Sequence, residues 1–217
     1  MSASPFPTHS FPTLSTRRFR FRAFVFADIA RLVALANEHR IADTAIGVPH
    51  PFTAEFARMW ISMHPSQWQE QRAIHWAVHA LGDDQMAGYA GLNQIDVVRS
   101  QGEMRFWVGC GTERFGHAVE WSEALASYAL SELNLTRVYA LQLARHTLAG
   151  RVLRAIGMQE EGLLRKRIEK GGLMEDLCCW GLSKHEAPRA SQGAELVKVR
   201  RNIAMMAGCG VRMAGTS

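Results

Sequence analysis

Trp107–Leu130, WVGCGTERFGHAVEWSEALASYAL, is the stretch on which the reading of this chain turns. It divides into the end of a strand, a loop with three glycines and a helix. Arg105, Phe106, Trp107 and Val108 suit a half-buried pleated strand. Gly109, Gly111 and Gly116 let the backbone bend and approach a ligand closely. Ala118, Trp121, Leu125, Tyr128 and Glu132 then recur at helical spacing, with Leu133 extending the apolar stripe. A helix opening directly from such a loop presents unpaired N–H groups and the positive end of its dipole, which suits a phosphate. A tight turn before a core helix would leave the same trace, so the spacing has to decide.

Two familiar phosphate loops fail. Four residues separate Gly111 from Gly116, where the dinucleotide fingerprint needs two, and no Gly-Lys-Ser/Thr follows for a nucleoside triphosphate. Glu113-x-x-Gly116-x-Ala118 instead resembles the Gln/Arg-x-x-Gly-x-Gly/Ala loop with which GNAT N-acyltransferases hold the pyrophosphate of coenzyme A. Glu113 departs from that pattern; facing an anion, it is expected to point away.

Working outward, the 217 residues suffice for one large domain with appendages. Hydrophobic residues make up 47% and charged residues 21%, ordinary for a globular chain. No apolar run approaches the ~20 residues of a membrane span. The four cysteines, Cys110, Cys178, Cys179 and Cys209, show neither metal-site spacing nor the density of a disulfide framework, so a cytoplasmic location is expected. The formal charge of +5 is concentrated at the ends. Residues 1–27 hold four arginines and no acid, residues 185–217 five basic and two acidic residues, which leaves −2 between them. That lacks the broad footprint of a nucleic-acid binder, and no nucleic-acid or membrane partner is expected.

Residues 1–16 have no period and are read as a flexible arm; three prolines oppose a targeting helix. Arg18–Phe24 alternates as a strand with Phe19 and Phe21 inward. Asp28 is placed as the N-cap of a helix carrying Ile29, Leu32, Val33 and Ala36. Residues 41–52 read as a loop, and Thr53 as the cap of a second helix running toward Met63. Strands are expected over 73–80, 85–93 and 103–108. A helix over 118–133, a strand over 137–143, a helix over 148–156 and strands over 158–167 and 173–182 follow. The order predicts an α+β, mixed-sheet domain over residues 17–184. Beyond it, 185–217 is a basic extension, helical around 195–206 or loosely attached.

From Arg18 to Lys184 the chain resembles the GNAT branch containing the ribosomal-protein alanine and serine N-terminal acetyltransferases. Ala42-Asp43-Thr44 and Val48–Thr53 (VPHPFT) resemble the loop between that branch's first helices. Glu103–Gly109 (EMRFWVG) resembles its Glu-x-Gly-Tyr-Trp-Ile-Gly strand, and Gly116–Glu120 its Gly-Tyr-Ala-Thr-Glu. Arg137–Ala140, Gly150–Leu153, Ile156-Gly157-Met158, Glu161-Gly162 and Glu175-Asp176-Leu177 fall in the same order. The resemblance implies a mostly antiparallel twisted sheet, flanked by helices and splayed between 103–108 and 137–143 for the pantetheine arm of acetyl-CoA. It implies an acetyltransferase acting on a primary amine, for which a protein N-terminus is one candidate, by direct attack on the thioester, as a monomer or homodimer and without metal. Backbone groups of Phe106 and Val108 would take the arm. The N–H groups of Arg114, Phe115, Gly116, His117 and Ala118 would take the pyrophosphate.

Acyl transfer needs a neutral amine, a polarised carbonyl and a proton for the departing thiol. Glu103 is the candidate base, although strand alternation puts Arg105 on its face and a pair without chemistry is the alternative. The family's Asn-x-x-Ser appears here as His146-x-x-Ala149. Ala149 cannot protonate a thiolate; His146 could, or it could simply start a helix. His50 is a candidate for the acceptor site. His75 and His79 are four apart on a strand, about 13 Å, too far to share a metal. The departures at Glu113 and Ala149 keep a second reading open, an acyl-CoA-binding sensor with little turnover.

Overall fold

The computed structural model describes residues 11–109, 115–187 and 200–201. In chain order the elements are β1 (Pro12–Ser15), β2 (Phe19–Ala23), α1 (Ile29–Ala36), α2 (His39–Thr44), α3 (Ala54–Gln69), β3 (Ile74–Ala80), β4 (Met86–Asp96) and β5 (Gln101–Val108). Then come α4 (Phe115–Ser127), which continues as a π-helical stretch over Tyr128–Glu132, β6 (Arg137–Leu143), α5 (Thr147–Ala155), β7 (Gln159–Lys170), β8 (Leu173–Ser183) and β9 (Arg200–Arg201). The strands form one sheet in the order β7-β8-β6-β5-β4-β3-β2-β1-β9. Every neighbouring pair is antiparallel except β5–β6. This is the mixed, mostly antiparallel α+β sheet expected from the sequence.

Alternation along the strands splits the core in two. Phe19, Phe21, Ile74, Trp76, Val78, Ala90 and Leu92 face Trp121, Leu125, Leu153 and Ile156 of α4 and α5. Ala77 and Tyr89 face the other way, onto Leu32, Leu35, Ala57 and Ile61 of α1 and α3. Trp76 and Trp121 are fully buried, and truncating either to alanine would cost about 3–5 kcal/mol.

Four expectations need correcting. Pro12–Ser15, placed in the flexible arm, is a strand: Leu14 and Ser15 pair with Phe21 and Arg20, and Leu14 is fully buried. Asp28 does not cap α1. Its carboxylate accepts from the backbone N–H of Val25 and from both Nη atoms of Arg22, closing a 3-10 turn ahead of the helix. The loop over 41–52 begins with helical residues, because α2 runs through Thr44. Arg200–Arg201, inside the stretch expected to be helical, is extended and pairs with Pro12–Thr13. The rest of that extension lies outside the described residues. Thr53 does cap α3, accepting from the N–H of Phe56 at 3.1 Å, and that helix continues to Gln69.

Candidate acetyl-CoA and acceptor site

The site begins where two strands part. In β5 and β6 the parallel register runs Gln101↔Arg137, Gly102↔Val138, Glu103↔Tyr139, and there it stops, although β5 continues to Val108 and β6 to Leu143. β5 is held to β4 as far as Gly88↔Val108, and β6 to β8 as far as Leu143↔Leu177. Each strand is therefore fixed by its outer neighbour while the edges facing one another separate. Both edges, Met104–Val108 and Ala140–Gln142, line a cavity of about 230 Å3.

α4 and α5 contribute Phe115, Ala118, His146, Ala149, Val152 and Leu153 to one end of this cavity. The segment Thr44–Val48, together with Trp60, His75, Tyr89 and Asn93, encloses the other. Arg145, just before α5, ties that segment down by donating to Asp43 at 2.7 and 2.9 Å and to Glu175 at 2.8 Å. Lys170 Nζ donates to the carbonyl of Ala45 at 2.7 Å.

Gln142 supplies the test of fit for the cofactor. It is buried, and its Oε1 has no hydrogen-bond partner among the described residues. An unmet buried acceptor costs about 1–3 kcal/mol, and an amide N–H of a pantetheine arm would satisfy it. A Cβ on Gly150 would come within 2.9 Å of Gln142 Nε2, so glycine leaves that amide its room.

Of the residues singled out in the sequence, Phe106, Val108, Phe115 and Ala118 line the cavity. The Val108 carbonyl already accepts from Arg40 Nη2 at 3.1 Å, leaving one lone pair. Gly116 is exposed beside it, its carbonyl accepting from Arg18 Nη2 at 3.2 Å. The His117 ring turns away onto Phe19, 5.0 Å between centroids. Arg114 and Glu113 lie outside the described residues. His146 and Ala149 both line the cavity, with His146 as the residue before α5. His50 is exposed and not among the lining residues.

Glu103 is fully buried and does not line the cavity. Arg105 grips it with two parallel bonds, Nε to Oε1 at 2.7 Å and Nη2 to Oε2 at 2.8 Å. Arg105 itself borders the cavity.

The imidazoles in and beside the cavity are held neutral. His75 donates and accepts in a short chain, Gln67 Oε1 at 2.9 Å on Nε2 and the Tyr89 hydroxyl at 3.0 Å on Nδ1, while Asn93 Nδ2 donates to Tyr89. Burial, with Arg105 nearby, lowers its pKa to about 4. His64, stacked on it at 4.3 Å, is held at about 2 by burial and by His75. Burial pushes Tyr89 up to about 12. His146 is also lowered, by burial first and then by Arg40 and Arg145. Two arginines, Arg40 and Arg105, line the cavity; among the described residues that line it there is no carboxylate, cysteine or serine.

Arg40 and Gln142 were not singled out in the sequence, and Arg105 was foreseen only as the partner of Glu103, not as part of the cavity wall. An isolated polar residue within an apolar strand, as in RVYALQL, was the available signal for Gln142. Arg40 carried none, since its helix comes to the site from elsewhere in the chain.

The comparisons agree with this geometry. The acetyltransferase (GNAT) domain model matches residues 18–159. The Bacillus subtilis (strain 168) protein named uncharacterized N-acetyltransferase YoaA is 24% identical over 174 residues, 80% of this chain and 98% of that protein. Mycobacterium smegmatis RimJ in complex with CoA-disulfide superposes with a TM-score of 0.74 at 17% identity, covering 82% of this chain and 92% of that one. The ribosomal-protein-S5-alanine acetyltransferase from Vibrio fischeri gives 0.72 at 17% identity, covering 81% and 98%. The fold and slot define an acyl-CoA-dependent transferase. The chain belongs to the GNAT acetyltransferase family, and is an N-acetyltransferase with acetyl-CoA as cosubstrate.

Proposed function

We propose that the acceptor is an α-amine, a protein N-terminus being the leading case, attacked directly on the thioester of acetyl-CoA. The observation that carries this is a cavity whose described lining offers no carboxylate and no imidazole basic enough to deprotonate a lysine. An attacking amine must be neutral. A lysine side chain, pKa ~10.4, needs a base to strip its proton, whereas an α-amine, ~8, is neutral often enough unaided. Here the lining imidazoles are held below their ordinary range and no lining carboxylate stands among the described residues. The solved structure named a ribosomal-protein-S5-alanine acetyltransferase, whose fold this chain shares, lends the choice of a protein acceptor further support.

Acetyl-CoA supplies the activated acetyl group. The N–H groups of Arg114 to Ala118 are assigned to its pyrophosphate and the backbone of Phe106 and Val108 to its arm. His146, neutral at pH 7, is assigned the transfer of the amine's proton onward to the departing sulfur: an N–H bond breaks and an S–H bond forms, with no net charge left behind. Glu103 is assigned to holding Arg105 rather than to proton removal. His50, exposed on the segment that follows the lining residue Val48, is assigned to contact with the chain that follows the amine.

Incubation with acetyl-CoA and a library of N-terminal peptides and small amines, read by thiol release and mass spectrometry, tests the reading. Acetylated peptide N-termini are expected, with kcat/KM rising with pH along one limb whose midpoint follows the acceptor's own pKa. Acetylation confined to lysine side chains or polyamines overturns it.

A further inference from the structure

We propose that Arg105 is the residue by which this enzyme recognises its acceptor, through a carbonyl oxygen on the carbon next to the attacking amine. The inference rests on the α-amine reading above and narrows it. Glu103 uses Nε and Nη2 of the guanidinium, so the fork is fixed and the third nitrogen, Nη1, points away from that pair. Nη1 lies 3.2 Å from where a Cβ on Gly47 would sit, and Gly47 and Arg105 both line the cavity. Gly47 has φ +77°, which favours glycine independently, and the missing side chain leaves space in front of the nitrogen. Tyr89 and Asn93 border the same part of the cavity.

A guanidinium held by a carboxylate is a directional donor without a large net field. Glu103 neutralises the guanidinium, but it leaves the Nη1–H bonds aimed where they were. A donor fixed in this way suits the carbonyl of an amino-acyl group. It gives nothing to an alkylamine, and it leaves a polar group unmet when such an amine binds. The strand motif that EMRFWVG resembles has glycine at this position, where this chain carries the guanidinium.

The test compares alaninamide with 2,2-difluoroethylamine, an amine also kept weakly basic but lacking the carbonyl. Wild-type kcat/KM is expected to favour alaninamide by about tenfold or more. In the Glu103→Gln/Arg105→Gln double variant, which avoids a lone buried charge, the preference should shrink to within about threefold while titration with acetyl-CoA gives unchanged affinity. Equal wild-type values for the two amines, or a preference that survives in the folded double variant, would overturn the proposal. The wild-type comparison needs no variant, so equal values refute the proposal even if the double variant does not fold. Equal acetylation of both amines sinks only the role of Arg105; failure to acetylate either, with lysine side chains accepted, sinks the α-amine reading.

Discussion

At the scale of single residues, the ion pair of Glu103 and Arg105 separates position from chemistry. The carboxylate's side chain is 1% exposed and the guanidinium's 29%, so charge at this spot is stabilised mostly by the partner. Replacing Glu103 with glutamine is expected to lower unfolding free energy by about 2 kcal/mol, measured by urea denaturation. The pH–rate midpoint with a peptide acceptor should stay where it is; a midpoint displaced by a unit or more would return Glu103 to proton transfer. His146 should behave differently. His146→Ala is expected to reduce kcat about 10²-fold with the melting temperature little changed, and a loss under threefold would remove it from the reaction. The sequence made both residues visible as candidates, Glu103 because it sits inside a matching strand motif and His146 because it stands where the matching motif breaks and can carry a proton. It also offered the pair of Glu103 with Arg105, two positions on, as the reading without chemistry, and the structure shows that pair; it could not show that Arg40 and Arg145 press on His146.

At the scale of elements, the parted strands and the α4 entrance do the binding. An added Cβ at Gly116 would meet only Arg18 Nη2, at 3.8 Å, so a substitution there is sterically cheap. Gly116→Glu should therefore leave stability within about 0.5 kcal/mol of the parent while weakening acetyl-CoA binding at least tenfold by titration, since a carboxylate would oppose the diphosphate. Equal heats for both proteins would remove the loop's assigned role. Elements with a repeated period were readable: β6 begins and ends where the alternation of RVYALQL does, and α5 follows its apolar stripe. α2 was not, because six residues are too few for a period and its last turn is pinned by Arg145, 102 residues on. β1 escaped for a related reason. Four residues with a proline gain their order from pairing with β2 and from Trp76, whose Nε1 donates to the Pro12 carbonyl at 2.8 Å.

At the scale of the whole molecule, buried imidazoles make the fold sensitive to acid. His64 and His75 are neutral in the folded protein down to about pH 2 and 4, but in the unfolded chain they take up protons near 6.5. A folded pKa below the unfolded one means full stability above 6.5 and progressive loss as pH falls. Between pH 8 and pH 5 each imidazole should cost about 2 kcal/mol. Asp28, held low by Arg22 and the Val25 N–H against its burial, adds to the decline only further down. Urea midpoints at the two pH values should show the drop, and His64→Leu should remove about half of it; an undiminished drop in that variant would place the acid sensitivity elsewhere.

Lys170 and Arg145 fasten the segment Thr44–Val48 to the β7–β8 hairpin, while the thioester groove is framed by β5, β6 and α4. The acceptor side of the chamber is thus set by the side chains of Lys170 and Arg145, and the donor side by the backbone pairing of β5 and β6 with their outer neighbours. Exchanging those side chains can reshape which amine enters without loosening the grip on coenzyme A, so relatives could exchange acceptors while keeping one common donor.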